Sequence, residues 1–590
     1  MAGRRITMRV GPLTKGLTDF PEHTGPDWCT QALNVEFVNG GVTTRRGMQR
    51  IVSDFYASAA TVKLVKAFPL VERNSPVAPM GGEIVVVGIV PTAGGDAKSE
   101  RVLIRHLSNG SLDGRMRDTE LIAPTDDTNP SPRSRWDACV MREPHRSQMT
   151  VIVCTDHVSQ KTTTVFRSNE FLFTMNPLVP INRVAQPFHG GREVAIGEED
   201  DEGDYTVLPL RARYCRVIAE RLVLGGFDQF DGLREVTGDS IWFSNLGDSR
   251  GWPLDNVVRP ASGDVGPVTG LAEHRGEILV FRANSISRFR IESGLHATGY
   301  LRQVVTGRGC VAHSTIIDNV NGSTLFLAQD GFYAFNGTGL EYLSKPIERR
   351  LKLALGSGRA GGAWAVHYPL RRQVWLFVPD TNGHADHGFI WDYHYNAWSE
   401  YEFQRGAWSD GTTRKEICGA AVSPSGRGIW GVTTDAGGRL DYDRFDRMHA
   451  ADVNDAGNSI GFRSVWESNA INYGKNAISR WRYLRPIVRP TGSHNLTAWW
   501  RRDGQAYDAF SLNNQSNNFA ADAEGGAALD AFVLDTDELA GDVDLSARID
   551  INKNGIGRDG HVGIRTSATA YERLDVRGFE IDLIDRTLRR

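Results

Sequence analysis

Histidines and carboxylates at short spacing are the residues of this chain that could bind a metal ion. His384 and His387 lie three residues apart, with Asp386 between them. A metal site needs further ligands in a fixed geometry, and the surrounding loop is rich in glycine and asparagine. Solvated histidines are the simpler interpretation, so we predict no metal site here.

The segment DINKNGIGRDGH partly matches a calcium-binding loop. Asp550, Asn552 and Asn554 alternate and Gly555 follows, as the sharp turn of such a loop requires. However, His561 stands at the position where a bidentate glutamate is expected, and strands are predicted on both sides instead of helices. An Asn/Gly hairpin turn is therefore favoured, and calcium binding stays open.

Two acidic stretches, residues 197–204 and 522–544, could bring carboxylates together for acid–base chemistry. Paired acids do such work only where burial shifts their pKa values. In a short glycine-flanked run such as GEEDDEGD, a solvated loop is the default interpretation.

An aromatic run could bind sugars through exposed rings. Packing between sheets explains the run without a ligand, and we favour that interpretation. Its members are Trp391, Tyr393, Tyr395, Trp398 and Tyr401.

Signatures of catalysis are missing from the sequence. It contains no P-loop, no HExxH, no GxSxG and no GxGxxG motif after a strand. We therefore predict no catalytic, cofactor-binding or metal-binding residues, no cofactor, and a protein that is not an enzyme.

Composition limits the class of protein. The chain has 590 residues, too many for one core, and its 67 basic and 71 acidic residues nearly balance, so general attraction to nucleic acid is not implied. Six widely spaced cysteines predict buried free thiols in a reducing compartment. No signal peptide or membrane span is predicted, so we expect synthesis and folding in the cytoplasm.

Hairpins of β-branched and aromatic residues recur along the chain at irregular spacing. One of them, STLFLAQDGFYAFNG, is apolar on both faces of both strands, as expected when a sheet is covered on each side. We predict a mainly β fold containing a β-propeller. The one clear helical pattern is Ser344–Leu355, with Ser344 a possible cap and Pro346 in its first turn.

The residue pattern changes near both ends of the chain, and this change predicts three parts. Residues 1–60 form an N-terminal platform or clamp segment with a hairpin around Asn39-Gly40-Gly41, and residues 61–450 form the propeller. Residues 451–590 form a sandwich-like C-terminal platform segment of long alternating strands.

Several stretches resemble the tail nozzle, or tail tubular, proteins of short-tailed phages. NVEFVNGGVTTRRGMQRI is similar to the opening of that family, where a strand containing Asn leads to a glycine hairpin and then to Arg-x-Gly. GRGCVAHSTIIDNVNGSTLFLAQDGFYAFNG, VWLFVP and WDYHYNAWSEY are similar to its propeller repeats. GRDGHVGIRTSATAYERLDVRGFEIDLI is similar to its closing strands, and the resemblance runs in order along the whole chain.

The resemblance implies a virion protein that forms a ring, typically of six copies, below the portal and adaptor. Such a ring conducts and retains genomic DNA without sequence-specific binding, and fibres or spikes dock outside it. The family combines a propeller with a platform built from terminal β-segments and has no catalytic residues. The expected localisation is the phage tail, after assembly in the host cytoplasm. The acidic stretches then become candidates for loops in the channel or at its tip.

Two other classes of function stay open. One is a propeller that binds or cleaves carbohydrate for host-surface recognition. The other is a free-standing intracellular propeller scaffold.

Overall fold

A computed structural model describes the chain from Arg5 to Asp585 with internal gaps. The residues outside the description are 1–4, 22–23, 57–58, 71–81, 92–99, 109–110, 123–135, 144–147, 156–163, 170–185, 188–211, 228–236, 248–255, 260–265, 292–300, 380–384, 386, 404–416, 424–427, 435–438, 448–451, 454–458, 473–478, 489–494, 503–516, 521–544, 547–548, 551–555, 558, 567–574 and 586–590.

The first strands come from the N-terminal segment. They are β1 (Arg5–Val10), β2 (Cys29–Leu33), β3 (Val35–Val38), β4 (Gly41–Thr44) and β5 (Gly47–Tyr56). β3 and β4 form the predicted hairpin. Asn39 and Gly40 take φ angles of 49° and 81° at its tip, the left-handed values that a tight hairpin turn needs.

Antiparallel four-stranded sheets follow one another along the chain, and we call them blades. Blade 1 is β6 (Ala60–Leu70), β7 (Gly82–Pro91), β8 (Glu100–Ser108) and β9 (Ser111–Ile122). Blade 2 is β10 (Trp136–Glu143), β11 (Gln148–Thr155), β12 (Thr164–Asn169) and β13 (Gln186–Pro187). Blade 3 is β14 (Tyr214–Ile218), β15 (Arg221–Gly225), β16 (Ile241–Phe243) and β17 (Val257–Val258).

The next blades repeat the same meander. Blade 4 is β18 (Gly270–His274), β19 (Glu277–Phe281), β20 (Ser285–Phe289) and β21 (Leu301–Thr306). Blade 5 is β22 (Ile317–Val320), β23 (Ser323–Leu327), β24 (Phe332–Phe335) and β25 (Leu340–Tyr342). Blade 6 is β26 (Trp364–Tyr368), β27 (Gln373–Phe377), β28 (His387–Asp392) and β29 (Ala397–Glu402).

Blade 7 joins the two ends of the propeller sequence. Its inner strands are β30 (Ile417–Val422), β31 (Ile429–Thr434) and β32 (Leu440–Arg447), and its fourth strand is β5 from the N-terminal segment. Leu440 pairs with Tyr56 and Arg447 with Gly47. The structure thus places β5, which lies within the predicted segment 1–60, in a propeller sheet.

The blades form a closed circle. The first strand of each blade lies against the first strand of the next, and β30 of blade 7 lies against β6 of blade 1. This arrangement is a seven-bladed β-propeller, closed by pairing a strand from one end of the chain with strands from the other. The predicted fold class is therefore confirmed.

Inner blade strands are buried on both faces, as the sequence predicted. In β23, Leu325 and Leu327 pack toward the core shared with blade 6, whereas Phe326 packs toward blade 4. The ring of Phe326 lies 5.0 Å from that of Phe281. Alternation is absent because each face of the strand has a neighbouring sheet.

The described α-helical structure is α1 (Glu348–Leu355), preceded by a 3₁₀ turn at Lys345–Ile347. Pro346 lies in that first turn, as predicted. Ser344 makes no capping hydrogen bond; its Oγ instead accepts a hydrogen bond from the Phe332 N–H at 2.9 Å. The hydroxyl therefore secures β24 and does not cap the helix.

The remaining strands belong to the C-terminal segment. They are β33 (Asp452–Val453), β34 (Ser459–Ile460), β35 (Val465–Ser468), β36 (Ile471–Asn472), β37 (Ser479–Val488), β38 (Asn495–Arg502), β39 (Asn517–Ala520), β40 (Leu545–Ser546), β41 (Ile549–Asp550), β42 (Ile556–Gly557), β43 (Asp559–Thr566) and β44 (Asp575–Asp585).

Both ends of the chain build one platform of two sheets. In the first sheet, β44 pairs with β1 and β4 on one side and with β37 on the other. The second sheet continues blade 6: β29 pairs with β2, then β35, β43, β38 and β39 follow. Aromatic contacts join the two sheets: the Trp466 ring stacks on the Phe579 ring at 5.5 Å, and the Trp481 ring lies 5.0 Å from the Trp500 ring in a tilted arrangement.

Candidate functional site: the joint of propeller and platform

A buried polar joint lies where the N-terminal segment, blade 6 and the C-terminal segment meet. Its central residues are Asn34, between β2 and β3, and Arg45, between β4 and β5. Both belong to the stretch NVEFVNGGVTTRRG, on which the resemblance to tail nozzle proteins rests. The residues of that motif therefore have a defined structural role in this chain.

Arg45 is fully buried and uses every donor of its guanidinium. Nη1 and Nη2 bind the two Asp452 oxygens at 2.9 and 2.6 Å, and Nε donates to Asn34 Oδ1 at 2.9 Å. The remaining N–H groups donate to the main-chain oxygens of Arg46 and Glu402. This fork geometry suits arginine alone, since lysine has neither the planarity nor the five donors.

Aromatic rings enclose the guanidinium. The Arg45 carbon Cζ lies 3.7 Å from the centroid of the Phe462 ring and 4.5 Å from that of Phe403. The apolar shell removes water, which strengthens the charge pair and makes any missing partner costly. Blade 6 supplies Phe403 and the C-terminal segment supplies Phe462, so the stack joins both parts.

Asn34 holds three chain segments together. It takes a left-handed φ of 54°. Its Oδ1 also accepts the Glu402 N–H at 2.8 Å, and its Nδ2 donates to the Arg463 oxygen at 2.9 Å. Asparagine tolerates this backbone conformation better than most residues, and its amide supplies both the acceptor and the donor that the joint needs.

A second anchor fixes helix α1 to the N-terminal segment. Arg350 donates through Nε to Asp19 Oδ1 at 2.8 Å and through Nη2 to the Thr30 oxygen at 2.6 Å. Its Nη1 lies 3.1 Å from Glu400 Oε1. Burial alone would lower the pKa of the Arg350 guanidinium, but these two carboxylates raise it, so the charge persists.

A separate cluster of charges lies among the first strands of the blades, around the propeller axis. Asp137 of β10 is fully buried and lies 3.1 Å from Lys66 Nζ of β6. Its Oδ2 accepts the Cys215 N–H at 3.0 Å and lies 2.8 Å from His313 Nε2. Arg216 of β14 lies 3.8 Å from Asp137 Oδ1. Three other segments are thus tied to the carboxylate on β10.

Electrostatics keep this carboxylate ionised. Burial alone would raise the pKa of Asp137, but His313, Lys66 and Arg216 hold it well below its usual range. Burial lowers the pKa of His313, so its imidazole is neutral at neutral pH. The group is a structural tie among blades 1, 2, 3 and 5.

Three cysteines meet beside this cluster, although they are far apart in sequence. Cys139 and Cys154 both donate to the Cys215 sulfur, across the interface of blades 2 and 3. Burial alone would raise the pKa of the Cys215 thiol, but these two hydrogen bonds lower it to about 7. Cys215 Sγ points toward the Ile152 oxygen at 3.9 Å, which is not the geometry of a nucleophile held by a base.

Acidification should weaken the fold through His313. Its pKa lies below the ordinary value in the folded protein, so below about pH 6.5 the unfolded chain takes up a proton that the folded protein does not. Stability should therefore fall as pH drops, by about 1 kcal/mol per pH unit for this group. Urea unfolding at pH 7.5 and 5.5 measures the fall, and His313→Gln should reduce it.

His394→Gln is the matched control for this measurement, since His394 is exposed at the turn between β28 and β29. An equal change of pH dependence in the two variants would contradict the assignment to His313.

The predicted metal candidates do not converge in the described part of the chain. His387 Nε2 lies 3.8 Å from Glu400 Oε1, whereas His384 and Asp386 lie outside the described residues. His561 faces the Ser468 oxygen at 3.0 Å from within β43. Among the residues that the structure describes, no group of three or more His, Cys, Asp or Glu side chains could hold a metal ion.

The remaining calcium-loop residues give no further geometry. Asp550 ends β41, and Asn552, Asn554 and Gly555 lie outside the described residues. The acidic stretches 197–204 and 522–544 also lie outside the description.

Three rings of the aromatic run, Trp391, Trp398 and Tyr401, are buried, as predicted, and Tyr393 and Tyr395 are half-buried. Trp391 and Trp398 stack at 6.3 Å, and Trp398 Nε1 donates to the Leu343 oxygen at 3.0 Å. Tyr401 is buried between blades 6 and 7. Tyr393 packs on the core that contains Trp391 and Trp398, and the Tyr395 hydroxyl accepts the Asn39 N–H at 2.9 Å. These rings hold blade 6 and the platform hairpin together.

The fold and the joint define a class: a seven-bladed β-propeller fused by a continuous sheet to a platform of both chain ends. Within the described residues, no helix is long and apolar enough to cross a membrane. No protein-family model matches the sequence, and no curated protein matches it.

The solved structures with similar chains include a β-propeller domain. The β-propeller domain of the Trilobed protease from Pyrococcus furiosus is 11% identical, with 66% of this chain and 93% of that chain covered and a TM-score of 0.32. Apo AztD from Citrobacter koseri is 9% identical, with 66% and 95% covered and a TM-score of 0.26. Likeness at this level gives no information on function.

Proposed function

We propose that the protein is a structural virion component, the ring-shaped nozzle of a phage tail. In this role several copies, six in the typical ring, surround a channel below the portal and adaptor. Genomic DNA passes through the channel, and fibres dock on the outside. No step of this function needs catalysis, so the protein is not an enzyme in this proposal.

The main support for the proposal is the buried polar joint between propeller and platform. Asn34, the Asn39-Gly40 turn and Arg45 match the opening motif of the nozzle family, and each has a specific structural role where propeller and platform meet. The support for the proposal is therefore a resemblance in sequence whose residues lie at the contacts between propeller and platform.

The architecture suits a load-bearing ring. Blade 6 and the second platform sheet are one hydrogen-bonded sheet, so propeller and platform are held by main-chain bonds as well as side chains. A ring of identical subunits needs two different surfaces on each copy, one for each neighbour. Two rigidly connected parts provide such surfaces at a fixed angle.

Assembly with the purified connector tests the proposal. The protein should form closed rings when mixed with a portal–adaptor complex, seen by size-exclusion chromatography and cryo-electron microscopy. A chain that stays monomeric with that complex and appears nowhere in the tail would contradict it. Binding or cleavage on a glycan panel would instead support the carbohydrate alternative, which the inward-facing aromatics do not favour.

A further inference from the structure

Three buried cysteines meet at the interface of blades 2 and 3, and we call them the cysteine cluster. Cys139 lies on β10, Cys154 on β11 and Cys215 on β14, and all three thiols are free. The Cys215 sulfur accepts hydrogen bonds from both of the other thiols, so it contacts two sulfur atoms at once. No step of the proposed function uses this cluster.

The strand register fixes the positions of Cys139 and Cys154 within blade 2. Cys139 pairs with Ile152 and Cys154 pairs with Asp137, so the two cysteines are diagonal neighbours on one face of the β10–β11 pair. The Cα atoms of diagonal neighbours lie about 7–8 Å apart, whereas those of a disulfide usually lie within about 6.8 Å. A bridge between Cys139 and Cys154 would therefore require the backbone to move.

Cys215 reaches both of these cysteines from blade 3. Its N–H donates to Asp137 Oδ2 at 3.0 Å, and its sulfur lies 3.9 Å from the Ile152 oxygen. Since Asp137 pairs with Cys154 and Ile152 pairs with Cys139, these contacts place Cys215 over the patch that holds both other thiols. Sulfur atoms already in contact need the smallest displacement to reach the bond length of about 2.05 Å. Cys215 is therefore the common partner in either bridge between the blades.

We propose that the cysteine cluster is a site of oxidative modification, at which a peroxide joins Cys215 to Cys139 or Cys154 and so links blades 2 and 3 covalently. Cys139 is 6% exposed and the other two residues are fully buried, so the oxidant reaches the cluster on the Cys139 side. In a reducing compartment the thiols stay free, and the bridge forms when the protein meets oxidising surroundings. Both blades belong to one chain, so the inference is independent of ring assembly.

The reaction consumes one peroxide for each bridge. Burial opposes ionisation of the Cys215 thiol, but the hydrogen bonds from Cys139 and Cys154 lower its pKa to about 7, which favours the attacking thiolate form. The Cys215 sulfur attacks one peroxide oxygen and the O–O bond breaks, which gives a sulfenic acid and one water. The sulfur of Cys139 or Cys154 then attacks the sulfenic sulfur. The S–S bond forms, the S–O bond breaks, and the hydroxyl leaves with the thiol proton as a second water.

Treatment of the folded, full-length protein with hydrogen peroxide, followed by alkylation and mass spectrometry of unreduced peptides, tests the proposal. The six free thiols should fall to four, since one bridge consumes two, and the cross-linked peptides should contain Cys215. The oxidised protein should also melt at a higher temperature than the reduced protein, because the bridge closes a long loop of the unfolded chain. A thiol reductant should reverse both changes.

Cys215→Ala should abolish the bridge and the rise in melting temperature, whereas Cys29→Ala, at an equally buried thiol of β2, should leave both unchanged. If Cys215→Ala does not fold, the double variant Cys139→Ala/Cys154→Ala should lose the bridge, while each of its single variants should still form one.

Three results would overturn the proposal: retention of all six thiols, loss of thiols without a bridge, or a bridge between Cys139 and Cys154. A bridge that forms only in urea would also overturn it, since the packing of blade 2 on blade 3 would then not be what brings the thiols together.

Discussion

Removal of residues 549–590 is expected to destroy the platform while the seven blades stay folded. The deletion takes away β43 and β44, which are central strands of the two platform sheets. Each buried apolar side chain lost contributes about 1.5–3 kcal/mol, so six of them contribute about 9–18 kcal/mol, which is as large as the 5–15 kcal/mol by which a typical domain is stable. The six are Val562, Ile564, Val576, Phe579, Ile581 and Leu583.

Limited proteolysis measures this effect directly. The truncated chain should lose its N-terminal strands and residues beyond blade 7 to the protease, and a resistant fragment spanning about β5 to β32 should remain. Under the proposed function, the truncated chain should also stay out of virions. Deletion of residues 586–590 alone, which follow β44, is the control. A truncated chain as resistant as the full-length protein, or one that enters virions normally, would refute the role of these strands.

The propeller was predictable from sequence because its signals are local. The hairpin predicted at 323–337 forms the middle pair of blade 5, β23 and β24. Two adjacent strands and their turn lie within about 20 residues, so apolar runs and turn residues suffice to identify them. The fourth strands are short or remote, and the number of blades could not be read from the hairpins' irregular spacing.

The closure of the circle of blades could not be predicted in the same way. β5 reads as part of the N-terminal segment, yet its partner β32 lies almost 400 residues further on. Nothing in the local pattern of β5 indicates which sheet edge it joins. Pairing of this kind is decided by which edge remains open once the other blades have formed.

The candidate site was missed for a related reason. Arg45 reads as one of two adjacent arginines after a hairpin, and its partner Asp452 stands 407 residues away. Likewise, Cys139, Cys154 and Cys215 show no motif spacing, and only the packing of blade 2 on blade 3 brings them together. The resemblance to tail nozzle proteins did point to the stretch containing Asn34 and Arg45, but not to what these residues contact.

Replacement of Arg45 is expected to be the most damaging single substitution at the joint. Arg45→Met keeps much of the volume but removes all five donors, and it leaves the fully buried Asp452 carboxylate without its cation. Breaking one side of a buried ion pair costs about 3–5 kcal/mol. Urea unfolding followed by tryptophan fluorescence should show this loss, and Arg45→Lys should restore only part of it because one ammonium cannot replace the fork.

Arg46→Met is the matched control. Arg46 is the next residue, is half-buried, and makes one long contact of 3.5 Å to the Asp446 oxygen. It should cost less than about 1 kcal/mol. The double variant Arg45→Met/Asp452→Leu separates charge from packing: with both charges gone, it should be more stable than Arg45→Met alone. If the single and double variants are equally unstable, the aromatic shell of Phe403 and Phe462, and not the ion pair, holds propeller and platform together.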